Sequence, residues 1–416
     1  MSDVYLVAGV RTPFVKAGGV FAKHNALSLS VPVLKAMSAR TAPDFLIWGQ
    51  VIPDATVSNI ARELIFEAGM SPEIPAFSTV MACSTSFIGT IAAAGMVGHG
   101  DFHLALVGGV ETMSHVPLAL KAQFADTVFG QFAKNPAGAL ETLQKVTPQD
   151  FDLPIHGWAN RQSGRSMGEH TEDTAKLYAI ARADQDKRAL LSHQGAIAGQ
   201  DAGFFKDLVI AFEGVDHDTI ARRDTSLEKL AALKPVYDHS GQGTLTAGNS
   251  TPNTDGAAAI WVADSEGLGR LGNPPAVKLV DWQVQAMDFH AEGILMAPAR
   301  GIPRLLARNK LTFADVASWN IHEAFAAQVL ANVKAASDPI YRRQKARVDF
   351  DLGEFPWARL NPHGGSLAIG HPFAATGARI LSQAVKELGA MPQGSRGVVS
   401  VCADGGHGTV ALLERA

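Results

Sequence analysis

Four side chains in this sequence have the types needed for nucleophilic and acid–base chemistry. They are Cys83 in "VMACSTSFIG", His322 in "NIHEAFAAQ", His371 in "AIGHPFAATG" and Cys402 in "SVCADGGHG". A cysteine attacks as its thiolate, so it needs a neighbouring base or a positive field. Cys83 falls where the strand-like run "PAFSTVMAC" meets the Ala/Gly-rich helix "STSFIGTIAAAGMVGHG". The positive end of such a helix favours a thiolate. Taken alone, a free cysteine is more often a small buried hydrophobe, so the case for a nucleophile rests on its counterparts. His371 precedes Pro372, a residue suited to the first helical position. It therefore stands at a second helix start, matching Cys83, and can take its proton; "GHP" in isolation reads first as a capping or surface histidine. His322 opens a predicted amphipathic helix with Glu323 in its first turn. Ala326 occupies the place of the second histidine of H-E-x-x-H, so no zinc motif is assigned. Cys402 closes an apolar strand, and the turn through Gly405 and Gly406 can present backbone N–H groups to an oxyanion.

These residues need a frame to bring them together. The order of apolar runs and helical spacings up to "HLALVGGVE" is β-α-β-α-β, which predicts a parallel sheet buried on both faces. From about Pro117 to Leu245 polar residues rise and the pattern turns helical. Strand character resumes at "GAAAIWVAD", and a second unit begins near Pro275 with "AVKLVDWQVQAMD". The close of each unit is alike: an apolar lead-in, Cys83 or His371, an Ala/Gly-rich helix, then an apolar strand ending in glycines. We read a duplicated α/β unit, with residues 1–117 plus 246–272 as the first half, 118–245 as a helical insertion and 273–416 as the second half.

Composition narrows the classes. The chain is 47% apolar and 18% charged, with a formal net charge of −4. There is no basic footprint for nucleic acid. Two cysteines cannot build a disulfide framework, and no signal-peptide pattern or membrane-length apolar run is read. The expectation is a soluble intracellular protein.

Seven stretches, in order, now carry a resemblance: "VYLVAGVRTPFVKAGG", "VMACSTSFIGTIAAAGMVGHG", "GGVETMSHVP", "TAGNSTPNTDGAAA", "HEAFAAQ", "GGSLAIGHPFAATGARI" and "CADGGHG". Together they resemble the thiolase family over essentially the whole chain. His322 stands where most thiolases have Asn, Asp404 where most have Gly, and Ser166 where many biosynthetic members have His. These departures, with the long stretch between Ala335 and Leu360, look like the β-subunit thiolases of fatty-acid β-oxidation complexes. The segment Leu118–Trp158 is similar in placement to the helical elaboration those subunits carry.

The resemblance implies a duplicated α-β-α-β-α layered fold whose inserted loop domain, 118–245, binds coenzyme A. It implies a 3-ketoacyl-CoA thiolase with Cys83 as nucleophile and His371 as base and oxyanion donor. His322 would hold a water at the oxyanion and Cys402 would be the general acid. The backbone N–H groups of Cys83 and Asp404 would form a second oxyanion site. Met167 and Phe325 would line the pantetheine tunnel, Arg222 or Arg223 would meet the adenine and phosphates, and Thr251 would lie near the pantetheine amide; Lys229 stands where a serine is expected. No tightly bound cofactor and no metal are expected, coenzyme A being a substrate. A cytoplasmic homodimer or tetramer, with a hydratase/dehydrogenase α-subunit as a further partner, follows by the same resemblance. The alternatives weighed are an acetoacetyl-CoA thiolase, a ketoacyl synthase (against which Cys402 speaks), a catalytically silent CoA or lipid carrier, and a metal or disulfide site using both cysteines.

Overall fold

The computed structural model describes residues 2–152 and 159–416. Ten strands form one hydrogen-bonded sheet: β1 (Tyr5–Val7), β2 (Val15–Lys16), β3 (Phe45–Gly49), β4 (Ala76–Phe77), β5 (Leu104–Thr112), β6 (Thr254–Ala263), β7 (Ala276–Ala286), β8 (Ser318–Ile321), β9 (Arg396–Ala403) and β10 (His407–Arg415). Their order is β8-β9-β10-β7-β1-β6-β5-β3-β4, with β2 beside β6. The helices that frame it are α1 (Ala26–Ser38), α2 (Ile60–Glu67), α3 (Thr85–His99), α4 (Met167–Leu177), α5 (Arg182–Asp201), α6 (Ala297–Arg308), α7 (Ala326–Ser337) and α8 (Thr376–Gly389).

The duplication is visible in the pairing. In the first half β3 runs parallel to β5, β5 antiparallel to β6, and β6 antiparallel to β1. In the second half β8 runs parallel to β9, β9 antiparallel to β10, and β10 antiparallel to β7. The halves join where β1 pairs antiparallel with β7. The expectation of an all-parallel sheet is thus corrected. Only β3, β4 and β5, and then β8 and β9, are parallel. Antiparallel neighbours can be joined from one end, so β6 returns directly beside β5 and the long insertion sits inside that connection.

Alternation along the strands sorts side chains onto two faces. Phe45, Ile47, Ala105, Val107, Ala258 and Ile260 from the first half share one apolar cluster with Val277, Leu279, Val399, Val401, Ala411 and Leu413 from the second. Helices α3 and α8 fill that shared layer, through Phe87, Ile91, Ala94, Ala378, Leu381 and Val385. The outer face of the first half is covered by α1 and α2, that of the second by α6 and α7. The result is α-β-α-β-α, with α3 and α8 at the centre.

Small residues make the central layer possible. A Cβ on Gly377, in the first turn of α8, would lie 2.3 Å from the backbone nitrogen of Phe87 in α3. The Ala378 N–H donates to Ser86 Oγ at 2.8 Å. The two equivalent helices therefore cross at their first turns, which brings the residues just before each helix together.

The insertion after Leu118 is mostly helical, holding Ala122–Phe132, Pro136–Leu143, α4 and α5. It also carries a two-residue ribbon, Ala119–Leu120 with Phe151–Asp152, where the sequence showed no strand signal. Residues 153–158, which close the stretch Leu118–Trp158, lie outside the described residues.

Candidate active site

Cys83 sits in a 3-10 turn, Ala82–Ser84, immediately before α3. The strand expected to reach it ends earlier, because only Ala76 and Phe77 find ladder partners on β3. Ala82 adopts a left-handed φ of 45°, unfavourable for a residue with a Cβ. Thr85 Oγ1 clamps it, donating to Ala82 O at 2.7 Å and accepting from Met81 N at 2.9 Å. Ser84 Oγ donates to Val401 O at 3.1 Å and lies 2.9 Å from Thr409 Oγ1. These contacts tie the cysteine's turn to β9 and β10, beside Cys402.

His371 follows Gly370, whose φ of 107° favours glycine. Pro372 does not open the helix itself. It precedes a 3-10 turn, Phe373–Ala375, and α8 begins at Thr376. That spacing lets Thr376 fold back. Its hydroxyl donates to Pro372 O at 3.0 Å, so toward His371 Nδ1, at 2.6 Å, it accepts. The single hydroxyl hydrogen thereby fixes the tautomer: Nδ1 carries the proton and Nε2 offers a lone pair. Nε2 stands 3.1 Å from Cys83 Sγ.

His322 leaves the end of β8, with its N–H on Ser400 O at 2.8 Å. It does not open a helix, since α7 starts at Ala326. Glu323, expected in a first helical turn, is buried instead. It accepts from Ser192 Oγ and Asn361 Nδ2 and faces Arg188 at 3.2 Å. A loop secured by that carboxylate replaces the expected turn. His322 Nδ1 is 3.0 Å from Ser366 Oγ, which accepts from Arg379 Nη2 at 2.8 Å. With the guanidinium donating to its oxygen, the Ser366 hydroxyl hydrogen is free to point at Nδ1, the arrangement that leaves Nε2–H on the far side of the ring. Among the described residues that buried Nε2 has no hydrogen-bond partner, and the rings of His322 and His371 lie 4.2 Å apart.

Electrostatics keep this cluster neutral at rest. Burial, with the Asp404 carboxylate adding to it, pushes the Cys83 thiol up to about 12. Burial and then Arg379 bring His371 down to about 3. Burial also holds His322 well below the ordinary imidazole value, with His371 and Arg379 acting the same way. The buried Cys402 thiol is raised by burial and by Cys83 beside it. In contrast to the helix-end argument, desolvation outweighs the helix field, so the resting pair is thiol and imidazole.

Gly405 and Gly406 turn at φ of 83° and 74°, as the sequence predicts. The Asp404 N–H pulls the Cys83 thiol down as a hydrogen-bond donor to its anionic form, while Asp404 Oδ1 accepts from Asn160 Nδ2 at 2.8 Å. Asp404's side chain is thus turned toward the insertion. Met167 and Phe325 share one apolar cluster with Cys402, together with Tyr237, Met287 and Phe289. Thr251 Oγ1 donates to Ser366 O at 2.8 Å, next to the His322 support. Arg222 and Arg223 are not brought to this cluster. Arg223 pairs with Asp201 on the surface, and the Arg222 N–H donates to His193 Nδ1. Lys229 pairs with Asp224. Sequence reasoning did not single out Thr376, Ser366, Arg379 or Asn160. The first three lie inside quoted motifs, but no spacing rule marks them.

A thiol, an imidazole lone pair aimed at it, a second thiol and a free buried N–H donor form an apparatus for covalent acyl transfer. The comparisons agree. The thiolase N-terminal domain matches residues 4–266 and the thiolase C-terminal domain residues 273–415. The chain belongs to the thiolase family. It is 35% identical to the 3-ketoacyl-CoA thiolase of Yersinia pestis (strain Pestoides F), covering 99% of this chain and 96% of that one. The 3-ketoacyl-CoA thiolase of Yersinia pseudotuberculosis serotype O:3 (strain YPIII) shows the same figures. Among solved structures, the acetyl-CoA acetyltransferase of Bacillus anthracis superposes with a TM-score of 0.83 at 27% identity, covering 100% of this chain and 99% of that one. The Acat5 thiolase of Ascaris suum in complex with coenzyme A gives 0.81 at 25%, covering 100% of both. Among the described residues no helix is long and apolar enough to cross a membrane.

Proposed function

We propose that this protein is a 3-ketoacyl-CoA thiolase, cleaving its substrate with coenzyme A to acetyl-CoA and a shortened acyl-CoA in fatty-acid β-oxidation. The observation that carries the reading is His371 Nε2 standing 3.1 Å from Cys83 Sγ with its tautomer set by Thr376. His371 takes the thiol proton as sulfur bonds the 3-keto carbon. The oxygen's new charge meets His322 Nε2–H, directly or through a water, and the imidazolium of His371; one such donor contributes about 3–4 kcal/mol to the barrier. The C2–C3 bond then breaks. Cys402 protonates the acetyl-CoA carbanion equivalent, leaving acyl-Cys83. Coenzyme A enters and gives its thiol proton to Cys402. Its thiolate attacks the thioester, whose oxygen rests on the backbone N–H groups of Cys83 and Asp404; the acyl–Sγ bond breaks, acyl-CoA leaves, and the Cys83 thiolate takes its proton back from the imidazolium of His371.

We assign coenzyme A to the face built by the insertion 118–245, with Met167 and Phe325 along the pantetheine, Thr251 near its amide, and Arg222 or Arg223 toward the adenine and phosphates. The working form is a cytoplasmic homodimer or tetramer, with an α-subunit as a further partner. A second reading, an acetyl-CoA C-acetyltransferase acting on acetoacetyl-CoA, draws support from the likeness to the Bacillus anthracis enzyme. A chain-length series of 3-ketoacyl-CoA substrates, run in the thiolysis direction, separates the two. Turnover of longer chains is expected; turnover confined to acetoacetyl-CoA establishes the second reading instead.

A further inference from the structure

The residues assigned to proton transfer and oxyanion binding also have the composition of a metal cage. Cys83, His322 and His371 each offer a ligand atom, and the three atoms lie within 4.8 Å of one another. His371 Nε2 is 3.1 Å from Sγ, and His322 Nε2 is buried with no partner among the described residues. One thiolate and two imidazole nitrogens suit a borderline-soft divalent cation such as zinc, not the oxygen-seeking magnesium or calcium. Metal–sulfur bonds of about 2.3 Å and metal–nitrogen bonds of about 2.0–2.1 Å in a tetrahedral site place ligand atoms roughly 3.3–3.6 Å apart. The widest pair therefore needs to draw in by up to about 1.5 Å, while His371 Nε2 and Cys83 Sγ open by about half an ångström.

We propose that Cys83, His322 and His371 form a three-ligand binding site for zinc(II), through which zinc reversibly shuts off the enzyme. The proton balance closes within the site. The Cys83 S–H bond breaks and its proton leaves to solvent as the sulfur–zinc bond forms. His371 binds through the Nε2 lone pair already freed by Thr376. His322 exchanges its Nε2 proton for one on Nδ1, where Ser366 Oγ accepts it. The fourth position is filled by water. Zinc then occupies the nucleophile, its base and the oxyanion donor together. That consequence for turnover rests on the proposed function; the binding itself does not.

The test uses the full chain, freed of metal with a chelator, and cobalt(II) as a spectroscopic probe that zinc displaces. One equivalent of cobalt is expected to bind with a thiolate-to-cobalt absorption band and tetrahedral visible bands. Zinc is expected to abolish them and to protect Cys83 from iodoacetamide, with labelling restored by the chelator. His322→Asn, checked for native circular dichroism, should weaken zinc at least thirtyfold, and Cys83→Ala should remove the thiolate band. Absence of that band in the wild-type protein overturns the site. So does Cys83 labelling that zinc leaves unchanged, or a folded His322→Asn variant that binds zinc as tightly as wild type. None of these readouts requires turnover, so a protein that fails to cleave 3-ketoacyl-CoA leaves the outcome of this test intact.

Discussion

Thr376 decides what His371 can do. If its hydroxyl sets the tautomer, Thr376→Val should leave the imidazole in place but let the proton sit on either nitrogen. We expect kcat to fall about ten- to a hundredfold, within the range of general-base effects, with KM little changed; steady-state thiolysis kinetics check this. The state of Cys83 gives a second prediction at this scale. A thiol held near 12 is almost wholly protonated at neutral pH, so each added pH unit below that value raises the thiolate about tenfold. Iodoacetamide labelling of Cys83 in the free enzyme should therefore climb steadily from pH 6 to 9. A plateau near neutrality would show a thiolate–imidazolium pair instead. Cys83 and His371 were singled out in the sequence because two like units place them at like helix starts, His322 because it stood at the start of a predicted helix, and Cys402 because it closes an apolar strand before a glycine turn. Thr376, Ser366 and Arg379 were not. A hydroxyl's role depends on which atoms the fold brings within about 3 Å of it, and the Ser366–Arg379 contact bridges two turns that no periodicity links.

At the scale of elements, the crossing of α3 and α8 sets the geometry of the site. Gly377→Ala forces a Cβ against backbone, not against a side chain that can swing away. A loss of about 1–3 kcal/mol is expected from such overpacking, read as a lower midpoint in chemical denaturation. Thiolysis should fall further than stability does, because the helices carry Cys83 and His371 apart. The buried strands and both central helices were readable from apolar runs and glycine punctuation. The strand directions were not: the order of elements suggested parallel pairing throughout, and the antiparallel return of β6 depends on which end the insertion leaves from. His322 was placed on a helix because "HEAFAAQ" has helical spacing. The buried contacts of Glu323 with Ser192, Asn361 and Arg188 hold that stretch extended until Ala326.

Across the whole molecule, Glu111 at the end of β5 joins the halves. Its carboxylate accepts from the N–H groups of Val51, Ile52 and Ala374, the last lying three residues after His371. Burial nevertheless pushes it up to about 7 from the ordinary 4.5. Its folded value lies above its unfolded one, so the contribution is fully present below about 4.5 and is lost as pH rises through about 7. The span corresponds to at most about 3 kcal/mol. Glu111→Gln should flatten that part of the stability profile, measured by denaturant midpoints at pH 5 and pH 8, while lowering stability at pH 5 because one acceptor oxygen is gone. Long-range assembly of this kind was the least legible part of the sequence, since nothing local to Glu111 points to Ala374.

The contact between Cys83 and His371 spans 288 residues, and that between Ser84 and Thr409 spans 325. Strand β10, which carries Thr409, lies inside its half of the sheet between β9 and β7. Synthesis runs from the N-terminus, so it delivers Cys83 long before any of these partners. A nascent chain thus holds its thiol with no base beside it until the second half, which carries His371, has docked. Burial raises that thiol from 9.0 to about 12, so slowed alkylation of Cys83 is in effect a certificate of completed folding, and the rate at which labelling slows during refolding times the docking of the second half onto the first.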